Sequence, residues 1–163
     1  MTDARGYDAD FYLWTREQAA AIRDAAGART NLPIDWENVA EEIADLGKSR
    51  RNELATRIRM IIEHLLKLEL SPARDPRRGW TETVLHARAE IEDLLDESPS
   101  LRVLLAELVE TGTPKAARIA AVSLGLYGEA TPDVLARLAG RRFTVEQVLG
   151  DWFSDQPPPS AQV

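Results

Sequence analysis

The sequence contains no cysteine, and this absence excludes several classes of protein. Disulfide-stapled folds, thiolate zinc sites, iron–sulfur clusters and enzymes with a cysteine nucleophile all need a thiol. Long apolar runs are also missing, and the first 30 residues carry Asp3, Asp8 and Asp10 where a signal peptide would have an apolar core. We therefore expect a cytoplasmic protein that does not insert into a membrane.

The common catalytic motifs are absent as well. The sequence has no P-loop, no dinucleotide-binding glycine fingerprint, no nucleophile elbow and no zinc-protease motif. An enzyme of the common classes is therefore not expected, no catalytic residue can be named, and no cofactor is predicted.

What the sequence does contain is a series of amphipathic helical patterns without a convincing strand. The longest covers residues 49–70, where apolar residues recur with helical spacing. A second, over residues 81–96, is predicted to return along it as an antiparallel hairpin, because the intervening turn is short. The predicted fold class is all-α: a compact multi-helix bundle in which residues 1–156 form one domain and residues 157–163 a proline-rich tail.

Helix boundaries are predicted from capping residues, glycines and prolines. Thr15 and Asp35 have side-chain oxygens that accept from free backbone N–H groups, so each is placed at a helix N-terminus. Gly47 and Gly112 are placed at helix ends, where a left-handed residue is favoured. Pro114 is placed at the start of a new helix, because its missing N–H costs nothing there.

Two short helices are predicted towards the C-terminus. The first covers residues 132–139 and has proline at its first position. The second follows Thr144, whose hydroxyl is expected to form a capping box with Gln147.

Aromatic residues are few, at 6% of the chain, and several cluster near the N-terminus. Tyr7, Phe11 and Trp14 are three or four residues apart, which places them on one helical face. Charged residues surround the large aromatics, so we expect Phe11, Trp14, Trp36 and Trp80 to be largely buried.

The net charge of −7 is unevenly distributed. Residues 1–46 carry 4 basic and 10 acidic groups, residues 47–78 carry 9 and 4, and residues 79–163 carry 7 and 13. The basic segment either pairs with acidic helices, in one bundle or across a dimer, or binds an external polyanion. We favour the first interpretation and expect the acids of residues 35–45 to pair with the arginines of residues 50–59.

A polyanion such as nucleic acid would meet the basic segment around its arginine-rich loop. Guanidinium groups bind phosphate and an indole can stack on a base. Upstream of the loop, a histidine at the edge of the core and a lysine one turn further on could also bind phosphate. The residues of this candidate contact are Arg74, Arg77, Arg78, Trp80, His64 and Lys67. Asp75 and two prolines interrupt the loop and no recognised nucleic-acid module is present, so this alternative is not favoured.

A metal site is a weaker candidate. Glu82, His86 and Glu90 follow one another at intervals of four and share a helical face, where they could hold a divalent metal if a second helix supplied ligands. The repeated Glu-x-x-His signature of di-iron bundles is absent, so an exposed ionic ladder is favoured. A metal-dependent enzyme using His64, His86 and nearby carboxylates is accordingly the last of the functional alternatives.

Five segments, in order along the chain, resemble a family known only as domain-of-unknown-function family 29, which is common in cyanobacteria and other bacteria. They are YDADFYLW at residues 7–14, IDWENVAEEIADLGKS at 34–49, HLLK at 64–67, the helix start at Trp80, and SPSL at 98–101. The resemblance covers about residues 7–153. It implies a compact helical bundle and brings no established activity. The chain departs from the family pattern after residue 108.

The leading functional hypothesis from the sequence is therefore a protein–protein interaction or scaffold module, with a protein partner or self-association. Polyanion binding through residues 47–78 is the second hypothesis, and the metal-dependent enzyme is the third. The location of the basic segment in space distinguishes the first two.

Overall fold

The computed structural model describes residues 5–28 and 32–155, and the regular secondary structure in these residues is entirely helical. The α-helices in the described residues are α1 (Arg5–Ala9), α2 (Phe11–Gly27), α3 (Trp36–Leu70), α4 (Arg77–Glu97), α5 (Leu105–Leu126), α6 (Pro132–Gly140) and α7 (Val145–Leu149), and a 3₁₀ helix (Pro99–Leu104) precedes α5. The predicted all-α class is confirmed. The tail predicted at residues 157–163 lies outside the described residues.

The residues group into two compact units, and α3 and α4 each contribute to both. Of the described residues, those within 1–54 and 92–103 form the first unit, and those within 55–91 and 104–163 form the second. Buried apolar residues of the second unit include Ile58, Ile61, Ile62, Leu65, Leu66, Val84, Ile91, Leu108, Val109 and Leu124. Those of the first unit include Ala19, Ala40, Leu54, Leu94, Leu95 and Leu101. The antiparallel hairpin of α3 and α4 stays a prediction.

Gly47 does not end a helix, because α3 continues through it to residue 70. Gly47 is buried, and a Cβ atom at this position would collide with the hydroxyl of Thr15. Thr15 is not a cap either: it lies inside α2 and its hydroxyl donates to the Tyr12 carbonyl at 2.8 Å. The true cap of α2 is Asp10, which accepts from the Leu13 amide at 2.8 Å. The glycine therefore marks a close approach of two helices.

Helix α5 is likewise continuous where a break was predicted at Gly112 and Pro114. A Cβ atom on the buried Gly112 would stand 3.3 Å from the side chain of Arg59, so glycine allows α3 and α5 to come close. Pro114 points to solvent. Interior proline costs about 3 kcal/mol, and burial of apolar residues on both sides of it, among them Val109 and Ala116, outweighs that cost.

Other local predictions are confirmed. The Asp35 carboxylate accepts from the Asn38 amide at 3.3 Å at the start of α3. Thr144 and Gln147 form the predicted capping box at α7, and α6 begins at Pro132. The boundaries predicted at residues 49 and 81 are wrong, since α3 and α4 both begin earlier.

The large aromatics predicted to be buried are each partly exposed. Phe11, Trp14, Trp36 and Trp80 all have intermediate exposure. Near the N-terminus the rings pack on one another, with Tyr7 edge-on to Phe11 at 5.5 Å and to Trp14 at 4.9 Å between centroids. Rings that pack together in this way on a short helix and its neighbour keep their outer edges in solvent.

Arg88 on α4 forms hydrogen bonds to the C-terminal segment of the second unit. Its Nε donates to the Val148 carbonyl at 2.9 Å, and its Nη2 donates to the carbonyls of Gln147 at 3.1 Å and Trp152 at 2.7 Å. Its guanidinium also lies 4.9 Å from the centre of the Phe153 ring. The last carbonyl groups of a helix have no donor within the helix. Arg88 is the donor for two of these groups in α7, those of Gln147 and Val148. Burial lowers the pKa of Arg88.

Candidate functional site

Two arginines of the basic segment, Arg50 and Arg57, pair with carboxylates other than those predicted. Arg50 pairs with Glu97 at 3.0 Å in the first unit, and Arg57 pairs with Glu90 at 2.6 Å in the second. Both partners belong to α4. Because α3 is one continuous helix, the acidic residues 37–45 lie N-terminal to these arginines on the same helix. They therefore do not face the arginines from a neighbouring helix. The expected pairing was wrong for Arg50 and Arg57, and α4 provides the compensating carboxylates.

The arginine-rich loop, predicted as a polyanion contact, is partly occupied by contacts within the chain. Arg78 donates to Glu82 at 3.0 Å. Arg77 pairs with Asp155 at 3.6 Å, and both arginines belong to the first turn of α4. Arg74 is exposed in the loop before that helix.

The other three residues of the candidate contact face different environments. His64 Nδ1 is hydrogen-bonded to the Met60 carbonyl at 2.8 Å, so this nitrogen donates. Lys67 is only 8% exposed and is paired with Glu63. Trp80 is half-buried. Binding of a polyanion by this set stays a prediction.

The candidate metal residues lie on the outer side of α4. Glu82, His86 and Glu90 are exposed, and both carboxylates take part in the ion pairs with Arg78 and Arg57. In residues 5–28 and 32–155, no group of three histidine, aspartate or glutamate side chains comes together in a way that could hold a metal ion.

A different surface, on α5, was not singled out from the sequence. Ile119, Val122 and Leu126 have the three- and four-residue spacing of one helical face, and all three are exposed. Val122 is 67% exposed and Leu126 is 80% exposed. We refer to these three residues as the α5 stripe. The opposite face of the helix is buried through residues such as Ala120 and Leu124, so α5 is apolar on both sides.

The α5 stripe lines an open groove of about 720 Å³ within the second unit. Its remaining lining residues are Arg59, Glu63, Lys115, Arg118 and Ser123. The groove therefore runs along α5, with α3 contributing Arg59 and Glu63. Gly112 lies two turns before Ile119 on α5 and faces Arg59. Because Gly112 has no side chain, α3 and α5 can come close there and form the groove.

The charges around this groove are predominantly positive. Arg59 donates to the Thr56 hydroxyl at 3.0 Å, and neither it nor Lys115 or Arg118 forms an ion pair with a carboxylate in the described part of the chain. The one carboxylate in the lining, Glu63, is held by Lys67. The groove thus combines an apolar stripe with three cations, in a chain whose net charge is −7.

Sequence reasoning missed this groove for a definable reason. The groove needs Arg59 and Glu63 of α3 beside the stripe, and no local pattern in the sequence indicates that α3 lies next to this part of α5. The available signal was the pair of apolar faces between residues 116 and 126, since a helix that is apolar all round needs a partner on each side.

The model of the family described as domain of unknown function DUF29 matches residues 7–153. The chain belongs to this family. An α-helical protein of unknown function from Rhodospirillum rubrum has a similar crystal structure, with a TM-score of 0.67 and 23% sequence identity. The similarity covers 88% of this chain and 94% of that one. The likeness shows that the two chains share a fold, and it assigns no activity.

No curated protein matches this DUF29 chain. Among its described helices, none has both the length and the hydropathy that crossing a bilayer requires.

Proposed function

We propose that this chain is a protein-docking module whose α5 groove binds an acidic amphipathic helix of a partner protein. The observation that carries the proposal is the coincidence of the α5 stripe with three cations that have no carboxylate partner among the described residues. A cytoplasmic location, expected from the sequence, belongs to the same proposal.

The apolar part of the groove supports a helical partner. Contiguous exposed apolar surface on a protein is typical of interaction sites. Helix-in-groove complexes are anchored by side chains at positions i, i+3 or i+4, and i+7 of the bound helix. The first and last members of the α5 stripe are seven positions apart, or about 10 Å along the helix axis. That length matches two turns of a partner helix with the same spacing.

The charges support an acidic partner. Carboxylates on the partner would meet Arg59, Lys115 and Arg118, and complementary charge gives orientation and a faster association rate. A second copy of this chain would present the same positively charged face in a two-fold contact, because such interfaces use one patch twice. Like charges would then face each other, so this surface favours a different protein.

A nucleic acid fits the groove less well. Its affinity would come from phosphate contacts. The three cations could make such contacts, but the apolar side chains of the α5 stripe could not. Stacking on bases requires aromatic rings, and the residues that line this groove include none.

The proposal is tested by fluorescence anisotropy with a labelled helical peptide of about 16 residues, or four turns. The peptide carries leucine at helical spacing on one face and glutamate on the other. Two matched peptides replace all glutamates by lysine or all leucines by serine. We expect the acidic peptide to bind about tenfold more tightly than either, which corresponds to about 1.4 kcal/mol.

Two protein variants locate the binding site. Val122→Asp places a charge on the stripe and should weaken binding of the acidic peptide at least about tenfold. Val103→Asp is the matched control, because Val103 is 82% exposed and does not line the groove. Equal loss in both variants would contradict the proposed site.

Three further measurements give outcomes that would overturn the proposal. Sedimentation of the protein alone could reveal a dimer that Val122→Asp disperses, which would assign the groove to a second copy. Cosedimentation with anionic vesicles that the same variant abolishes would assign it to a lipid surface. Sub-micromolar retention of RNA or DNA on a filter, weakening steeply with salt, would favour the polyanion hypothesis.

A further inference from the structure

A second cavity in the second unit has a different character from the α5 groove. Its volume is about 640 Å³, and it is more enclosed than the α5 groove. The lining residues are Lys67, Ala73, Asp75, Pro76, Trp80, Ser123, Leu124, Tyr127 and Glu129. We call it the Trp80 pocket. Only Ser123 is common to both sites.

The one cation in the pocket lining is already neutralised. Lys67 and Glu63 form an ion pair one helical turn apart, and their side chains are only 10% and 17% exposed. Breaking such a shielded pair to bind an anion would leave Glu63 without its partner, which is costly in a poorly solvated place. Lys67 is therefore a poor receptor for phosphate or a carboxylate.

The carboxylates of the pocket are in the opposite situation. Asp75 and Glu129 both line it, and neither forms an ion pair with a residue in the described ranges. The backbone of Glu129 is fixed, because its amide donates to the Leu124 carbonyl at 2.9 Å across the turn that follows α5. Gly128 allows this turn through its positive φ of 73°. The pocket consequently presents two available negative charges.

Aromatic rings complete the lining. Trp80, in the first turn of α4, and Tyr127, at the end of α5, come from distant parts of the sequence to the same cavity. The faces of tryptophan and tyrosine rings attract cations, most strongly where water is partly excluded. Carboxylates beside such rings add attraction for a positive charge and repel an anion.

We infer that the Trp80 pocket binds a small organic cation through an ammonium group. Trp80 and Tyr127 would contact its alkyl or methyl substituents, and Asp75 and Glu129 would balance its charge. This site is independent of the α5 groove and of the protein-docking function proposed for it.

The probes for this site are choline and its neutral carbon isostere, 3,3-dimethylbutan-1-ol, titrated by isothermal calorimetry into the full chain. They have nearly the same shape and differ in charge. We expect choline to bind about fivefold more tightly than the isostere, given a cation–π contact with the half-buried Trp80 ring and a weaker one with the exposed Tyr127 ring. A third titration, with spermidine, distinguishes a site for primary or secondary amines from one for a quaternary amine. Tighter binding of choline or of spermidine than of the neutral isostere supports the inference.

Variants assign the binding to this pocket. Tyr127→Ala and Glu129→Gln should each weaken choline binding about two- to fivefold. Tyr127 is 79% exposed, so its removal should not disturb the fold. Glu110→Gln is the matched control, because Glu110 is an exposed carboxylate on α5 outside the pocket lining.

Some results would overturn the inference. Equal binding of choline and the isostere would make the pocket an apolar cavity, and binding of inorganic phosphate that Lys67→Met removes would make it an anion site. Failure of the docking proposal is distinguishable, since Val122→Asp should leave choline binding unchanged and Tyr127→Ala should leave peptide binding unchanged.

Discussion

Within each of the two units, the balance between polar contacts and large buried aliphatic side chains is different. In the first unit, Asp10 accepts hydrogen bonds from the Ser100 amide at 2.6 Å and the Ser100 hydroxyl at 2.8 Å, and the Tyr12 amide donates to Ser98 at 3.2 Å. The first unit also buries Leu54 and Leu101 completely, but most of the large, fully buried aliphatic side chains, such as Ile58 and Ile61 on α3, belong to the second unit.

The difference matters because the two kinds of interaction differ in size. A hydrogen bond within a protein contributes about 0.5–1.5 kcal/mol net, whereas burial of a large aliphatic side chain contributes about 1.5–3 kcal/mol. The second unit should therefore provide most of the stability, and the first unit should depend more on the geometry of a few polar contacts. Both candidate sites lie in the second unit, on the more firmly packed part of the chain.

The largest effect is expected from Ile61→Ala in the second unit. Ile61 is completely buried, and the substitution should lower the free energy of unfolding by about 2–5 kcal/mol, because it removes apolar contacts and leaves a cavity. Urea denaturation followed by circular dichroism measures the loss. Ile119→Ala, on the exposed stripe, should change stability by no more than about 0.5 kcal/mol. Similar losses for both would contradict the assignment of the core.

A smaller effect is expected from Gly47→Ala in the first unit. The added methyl group would collide with Thr15, and overpacking of this kind costs about 1–3 kcal/mol. Gly79→Ala is the contrasting control: it also lies within a helix, but no atom stands within 4 Å of the position that its methyl group would take. There alanine should raise stability by about 0.5–1 kcal/mol. Thermal melts of the two variants should shift in opposite directions.

The smallest of the three effects is expected from Asp10→Asn. The amide keeps one oxygen to cap α2 and loses one of the two oxygens that accept from Ser100, so the cost should be about 1 kcal/mol. Asp8→Asn, at an exposed carboxylate on α1, is the control. A melt of Asp10→Asn indistinguishable from that of the control would mean that these hydrogen bonds contribute little to the first unit.

Local signals in the sequence predicted local structure well. The caps at Asp35 and Thr144 depend on residues three positions apart, and such contacts follow from helical geometry alone. Gly47 and Gly112 were misinterpreted because the reason for each glycine lies in a residue far away in sequence, Thr15 in one case and Arg59 in the other. The same spacing rules cannot distinguish a glycine that ends a helix from one that admits a neighbour.

The candidate sites were harder to predict for the same physical reason. Lys67 and Trp80 were singled out from the sequence, but as parts of a polyanion contact. Their present assignment depends on Tyr127 and Glu129, which follow α5 and line the same cavity although they are distant in sequence. The pairing of Lys67 with Glu63 is local and could have been predicted from their spacing of four residues. The α5 groove depends on Arg59 and Glu63 of α3 lying beside the α5 stripe, more than 50 residues away in the sequence.

The contacts of Arg88 have a practical consequence for the shortest fragment that can fold. This side chain takes its acceptors from residues 147, 148 and 152, and the Ser154 hydroxyl donates to the Leu65 carbonyl at 2.6 Å. A fragment cut by protease before residue 145 would leave a partly buried guanidinium without acceptors. Such a fragment should aggregate, and fusion partners are better attached beyond Asp155.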